Sequence, residues 1–145
     1  MGVDNFFNKA EKDKIIKAIK DAENQTSGEI RLHLESRCKG DALERAVRMF
    51  EKLKMHETQL RNGTLIYLAV KDRKFAIFGD EGINEIVPDN FWQDVKEEMR
   101  VHFQKSEFLS GLTRGIFLVG EKLKAHFPYQ EDDINELPDD ISVGE

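Results

Sequence analysis

The stretch Arg61-Asn62-Gly63-Thr64-Leu65-Ile66-Tyr67-Leu68-Ala69-Val70-Lys71-Asp72-Arg73-Lys74-Phe75-Ala76-Ile77-Phe78-Gly79 decides the fold. After the Arg61-Asn62-Gly63 break, Thr64 to Val70 has few polar interruptions, the pattern of a strand covered on both faces. Only Lys71 and Asp72 part it from Arg73 to Phe78, where Phe75 and Ile77 alternate with Lys74 and Ala76. The chain therefore turns back as a tight hairpin closed by Gly79. Upstream, Ile30, Leu32 and Leu34 alternate with Arg31, His33 and Glu35, a period of two that specifies another strand. Between the two lies an N-cap, Asp41, and a helical stripe of Leu43, Ala46, Val47, Phe50 and Leu53 running to about Met55. Strand, helix, strand in one sheet implies a parallel pair joined by a right-handed crossover, and the hairpin adds an antiparallel third strand.

Working outward, Phe6, Phe7, Ala10, Ile15, Ile19 and Ala22 fall near helical spacing with lysines between them, and this amphipathic helix ends around Asn24 to Ser27. A short helical piece is expected between Gly82 and Val87. Pro88-Asp89-Asn90 then sets a helix start, with Trp92, Val95, Met99 and Phe103 on its apolar face. Phe108, Leu112, Ile116, Val119 and Leu123 mark a last helix stopped by Pro128, and Gly111, Gly115 and Gly120 let it approach a neighbour closely. Four main helices around two largely apolar strands fit an α/β fold, a three-layer α/β/α sandwich with a mixed central sheet flanked by helices. Residues 1–129 form one domain. Residues 130–145 are an acidic tail with too few large aliphatics to bury, expected to be disordered.

The 145 residues carry 22 Lys and Arg against 28 Asp and Glu, for a net charge of −6. Seven of the acids and none of the bases lie from Gln130 to Glu145, so the domain itself is nearly neutral. Such a balance points to no nucleic-acid field. A single cysteine, Cys38, excludes an intramolecular disulfide, a CxxC pair and a thiolate zinc site. The start has no export or lipid signal, and the apolar runs are far short of the ~20 residues a spanning helix needs. A monomer in the cytoplasm, with no membrane insertion, is expected.

The topology sorts polar residues to two ends of the sheet. Glu29, Asn62, Gly63, Gly79, Asp80 and Glu81 fall at one end, joined by Asp89 and Asn90 if the following helix starts nearby. Ca²⁺ and Mg²⁺ take oxygen ligands of this kind on short loops that contain glycine. The spacing is not that of an EF-hand, and the same residues also read as turn residues with Asp89 as a helix cap. The opposite end carries Arg37, Lys39, Lys71, Asp72 and Arg73, a competing anion pocket or a solvated edge that discourages sheet pairing. His33, His56, His102 and His126 show no metal spacing and read as surface or cap residues. Ser27, Ser36 and Cys38 lack an activating base, so nucleophilic catalysis has no support. Phe91 and Trp92 wall a pocket or, at helical spacing, belong to the core.

The stretch from Arg61 to Ile83 resembles the core of the TPM domain family. The similarity extends through Phe91-Trp92, the Gly115-Ile116-Phe117-Leu118-Val119-Gly120 helix and His126-Phe127-Pro128, and back to Ser27-Gly28-Glu29-Ile30-Arg31. The family is named for thylakoid-lumen and photosystem II repair proteins and a receptor modulator. The resemblance implies a doubly flanked α/β/α sandwich. Some members are described as acid phosphatases and others as divalent-metal binders. The family's recurring Asn-Gly pair and Gly-x-Gly-like turn match Asn62-Gly63 and Gly79-Asp80-Glu81-Gly82, which strengthens the expectation of a Ca²⁺ or Mg²⁺ site formed by Glu29, Asn62, Asp80, Glu81 and Asp89. Three functions compete: a cation-binding module, a metal-assisted phosphomonoesterase in which Arg61 supplies charge to the oxyanion, and a protein-interaction domain whose acidic tail contacts a partner.

Overall fold

The computed structural model describes residues 3–129 and 141–144. After a short 3₁₀ turn at Val3–Asn5 come α1 (Lys9–Glu23), β1 (Glu29–Glu35), α2 (Ala42–Lys52), β2 (Gly63–Ala69), β3 (Lys74–Gly79), α3 (Glu81–Asn84), α4 (Gln93–Gln104), α5 (Phe108–His126) and β4 (Ser142–Val143). The sheet order is β3-β2-β1-β4. β1 and β2 are parallel, with Glu29 opposite Gly63, and β2 and β3 are antiparallel, with Thr64 opposite Gly79. The expected mixed sheet is present.

Alternation along β2 builds two cores. Ile66 and Leu68, with Ile30, Leu32, Leu34 and Ile77, pack under Ile15 and Ile19 of α1, Val95 and Met99 of α4 and Ile116 and Val119 of α5. Leu65, Tyr67 and Ala69 face the other way, against Ala46, Met49 and Phe50 of α2. One sheet therefore lies between three helices and one, an α/β/α sandwich whose central strand β2 is buried throughout. On α5, a methyl at Gly115 would meet Met99 of α4, and one at Gly120 would meet Ala22 of α1. These small residues set how closely the helices pack.

Several boundaries differ from the sequence reading for local reasons. α2 stops at Lys52 because Lys54 takes a left-handed φ of 58° and the Met55 amide donates to Phe50 O at 3.0 Å, a Schellman closure. The hairpin turn is four residues, Val70 to Arg73, because the amides of Val70 and Lys71 donate across to Glu35 O and Ser36 O of the β1 side, each at 2.8 Å. Asp41 caps α2 by accepting from the Glu44 amide, as expected. Asp89 is not a cap: α4 begins at Gln93 with Trp92 at the N-cap position and no side-chain cap, and Asp89 is exposed in the turn before it. Trp92 belongs to the core. Of the tail expected to be disordered, residues 130–140 and 145 lie outside the described residues. Residues 141–144 correct that expectation, because Ser142 and Val143 pair in parallel with His33 and Leu34 of β1.

Candidate functional site

Parity along the strands places Glu29, Gly63 and Asp80 side by side on the α2 face at one end of the sheet. Glu29 is opposite Gly63, and the Asp80 amide donates to Gly63 O at 2.9 Å. Glu29 and Asp80 are each only 4% exposed. Two strand spacings of about 4.8 Å separate their backbones.

The loops around Asp80 are clasped. The Gly82 amide donates to Arg61 O at 2.8 Å, and a methyl at Gly82 would fall 2.2 Å from Leu60 O and 2.6 Å from Arg61 O. Only glycine lets these two backbones meet. Arg61 itself takes a left-handed φ of 51°, a costly backbone for any residue but glycine, and aims its guanidinium at the carboxylates. Nε donates to Asp80 Oδ2 at 2.7 Å, Nη2 to Asp80 Oδ1 at 2.9 Å and Nη1 to Glu81 Oε1 at 2.8 Å. The Asp80 hydrogen bonds and the charges of Asp80 and Glu81 together raise the Arg61 pKa. Asp80 also accepts from the Glu81 amide at 2.8 Å and so starts α3, which makes it a cap as well as a site residue.

This group opens into a cavity of about 460 Å³ lined by Glu51, His56, Arg61, Asp80, Glu81 and Asn84 above an apolar floor of Val47, Phe50 and Phe78. Three carboxylates and one guanidinium line it. The buried Nδ1 of His56 has no hydrogen-bond partner among the described residues. Of the five residues singled out from the sequence, Asp80 and Glu81 line the cavity. Glu29, Asn62 and Asp89 are not among its lining residues. Asn62 is buried and reaches Ser27 instead, Nδ2 to Oγ at 3.5 Å. Among the described residues, no group of three or more His, Cys, Asp or Glu is already arranged to hold a metal ion. Glu51 and His56 carry no sequence signal for this site, because they come from α2 and the loop after it, which only the crossover brings to this end of the sheet.

The opposite end is internally satisfied. Asp72 accepts from Arg37 at 3.0 Å and from the Cys38 amide at 2.8 Å, while Lys74 donates to Cys38 O and Gly40 O. The first turn of α2 there is capped by its own carboxylate, Asp41, which occupies the place an anion would take.

A buried polar network escapes the sequence reading. His33 and Glu35, 1% and 3% exposed, are not surface residues: they lie beneath the Ser142–Gly144 segment. Glu35 Oε1 accepts from Tyr67 OH at 2.6 Å and from Arg45 Nε at 2.9 Å, and Oε2 accepts from Arg45 Nη2 at 2.5 Å. Burial pushes the Glu35 carboxyl up, but the hydrogen bonds from Arg45 and Tyr67 outweigh it and hold the pKa at about 2. Burial pushes the His33 pKa below 6.5 despite Glu35, whose Oε2 lies 3.4 Å from Nε2. Burial and the Glu35 hydrogen bond raise the Tyr67 pKa. His33 Nδ1 and Ser142 Oγ are 2.8 Å apart.

Fold and cavity together define an α/β/α domain with an acidic recess at one end of a mixed sheet. The TPM domain family matches residues 3–122, and the chain belongs to that family. The chain is similar, at 45% identity and a TM-score of 0.91 over 98% of both chains, to the solved BA42 protein of the psychrophilic bacterium Bizionia argentinensis. Two further structures share the fold at low identity. The N-terminal domain of a P. gingivalis protein has a TM-score of 0.69 at 15% identity, covering 86% of this chain and 82% of that one. The N-terminal domain of the cg2496 protein of Corynebacterium glutamicum has 0.62 at 13%, covering 97% and 82%. No curated protein matches. Among the described residues, no helix is long and apolar enough to cross a membrane.

Proposed function

We propose that this TPM domain is a divalent-cation-binding module, in which Ca²⁺ or Mg²⁺ enters the recess beside Asp80 and takes over the charge balance that Arg61 otherwise supplies. One observation carries the reading: Glu51, Asp80 and Glu81 line one opening, with a single guanidinium, that of Arg61, bonded to the last two. A hard cation prefers such oxygens, and displacing a flexible arginine to solvent costs less than breaking a packed contact. Arg61 is already 39% exposed at its side chain, so its route out is short. Asp80 and Glu81 are the primary ligands, and Glu29 adds negative potential from the next strand but one.

The phosphomonoesterase alternative draws less from the same recess. It needs the same cation and, in addition, Arg61 free to meet an oxyanion, whereas that guanidinium is held by Asp80 and Glu81. The test is thermal unfolding with millimolar CaCl₂ or MgCl₂ against chelator. The parent melts higher with metal, and Asp80→Asn with Glu81→Gln abolishes the shift. A double variant that responds as the parent does would remove the proposal.

A further inference from the structure

β4 is only two residues long, yet it covers the edge of β1 and the buried network beneath it. An uncovered β1 would present a row of unpaired backbone groups, which is a template for strand addition. The segment that fills this edge is read position by position. Ile141 packs against the main core. Ser142 places Oγ 2.8 Å from His33 Nδ1. Val143 leaves its side chain largely in solvent, 42% exposed, so its identity is not read. The Gly144 amide donates to Leu34 O at 2.7 Å, and a methyl there would sit 2.8 Å from Glu35 Oε2 and 3.1 Å from His33 Nε2. Glu35 cannot yield, because Arg45 and Tyr67 hold both its oxygens.

We infer that the β1 edge is a peptide-binding site that selects an extended segment of the pattern aliphatic, Ser, any residue, Gly, and that the same segment of a second copy of this chain can occupy it in place of residues 141–144. A parallel strand of two residues is held by few hydrogen bonds, each worth about 1 kcal/mol net, so it opens locally without unfolding the sheet. The interactions formed in trans replace the same interactions broken in cis. Exchange between two intact chains therefore has an apparent Kd near the effective concentration of the tethered segment, on the order of 1 mM.

The experiment uses the full chain carrying Gly144→Ala, labelled with ¹⁵N. The added methyl releases the segment, so the Ser142 and Val143 amides move to solvent-exposed positions while the β2 and β3 amides stay in place. A synthetic peptide of residues 139–145 then returns the His33, Leu34 and Glu35 amides toward their parent positions. A peptide with Val at the glycine position binds at least about tenfold more weakly. Unlabelled parent chain produces the same shifts, with about tenfold lower apparent affinity than a peptide whose Kd is about 0.1 mM. Should the variant unfold, excess peptide on the labelled parent chain displaces the tethered segment, read as its Ser142 and Val143 amides moving to solvent-exposed positions with about tenfold weaker apparent affinity; amides that stay in place would overturn the assignment. Gly144→Ala leaving the segment docked would overturn the assignment. So would His33 and Leu34 amides that ignore the peptide, or a peptide response without any response to the second chain.

Discussion

Glu35→Gln replaces the hub of the buried network with a neutral isostere. In the folded protein the carboxyl sits at about 2 against an ordinary 4.5, because the hydrogen bonds from Arg45 and Tyr67 outweigh burial. At 1.36 kcal/mol per unit that difference is worth roughly 3 kcal/mol of stability. The folded pKa is depressed, so this contribution is complete above about pH 5.5 and is lost as the pH falls through 4.5 toward 2. Glutamine still accepts from Tyr67, and Arg45, with a side chain 38% exposed, swings into water, which keeps the cost near the lower end for a broken buried pair. Urea unfolding at pH 7 gives a loss of about 2 to 3 kcal/mol for Glu35→Gln, and the gap between parent and variant narrows below pH 4.5. A loss under 0.5 kcal/mol at pH 7, or a gap that stays constant down to pH 3, would refute the assignment of Glu35 as a charged hub.

His33 gives the opposite partner of that window. Its folded pKa lies below 6.5, so the unfolded chain binds more protons and stability falls as the pH drops beneath 6.5; His33→Gln flattens the urea midpoint between pH 7 and 5.5 relative to the parent. Gly82→Ala forces a methyl into the Leu60 and Arg61 carbonyls and costs about 1 to 3 kcal/mol, seen as a lower melting temperature, whereas retention of parent stability would show that the clasp is slack. Asp41→Ala removes the α2 cap and costs about 0.5 to 2 kcal/mol in the same assay. Arg61→Gln lowers the melting temperature in chelator, since buried Asp80 loses its counterion, and enlarges the stabilisation by CaCl₂; a smaller metal effect than in the parent would make Arg61 a helper of cation binding instead of its competitor.

The strand directions are legible because period-two patterns and the Lys71-Asp72 turn are local signals, and they place Glu29 and Asp80 at the same end of the sheet. The return of Ser142 and Val143 is not, since a pairing with a strand 109 residues earlier leaves no mark in a short acidic stretch. That omission changes the reading of His33 and Glu35: alternation marks them as the polar face of a half-buried strand, but β4 and Arg45 of α2 cover that face. From the sequence Arg61 reads as a charge for an oxyanion, while its bidentate grip on Asp80 depends on a left-handed backbone that composition does not reveal. Asp89 reads as a cap or ligand because Pro-Asp-Asn favours a helix start, yet the chain makes one more turn and starts α4 at Gln93, after Trp92.

The most direct measurement of the central claim is a titration of the ¹⁵N-labelled chain with Ca²⁺ and then Mg²⁺, followed amide by amide. Cation binding beside Asp80 moves the amides of Arg61, Asn62, Gly63 and Gly79 to Asn84 in a saturable way and frees the Arg61 Nε–H signal. Unmoved signals in those two loops at millimolar ion, or saturable shifts confined to the far end of the sheet around Asp72, would contradict it.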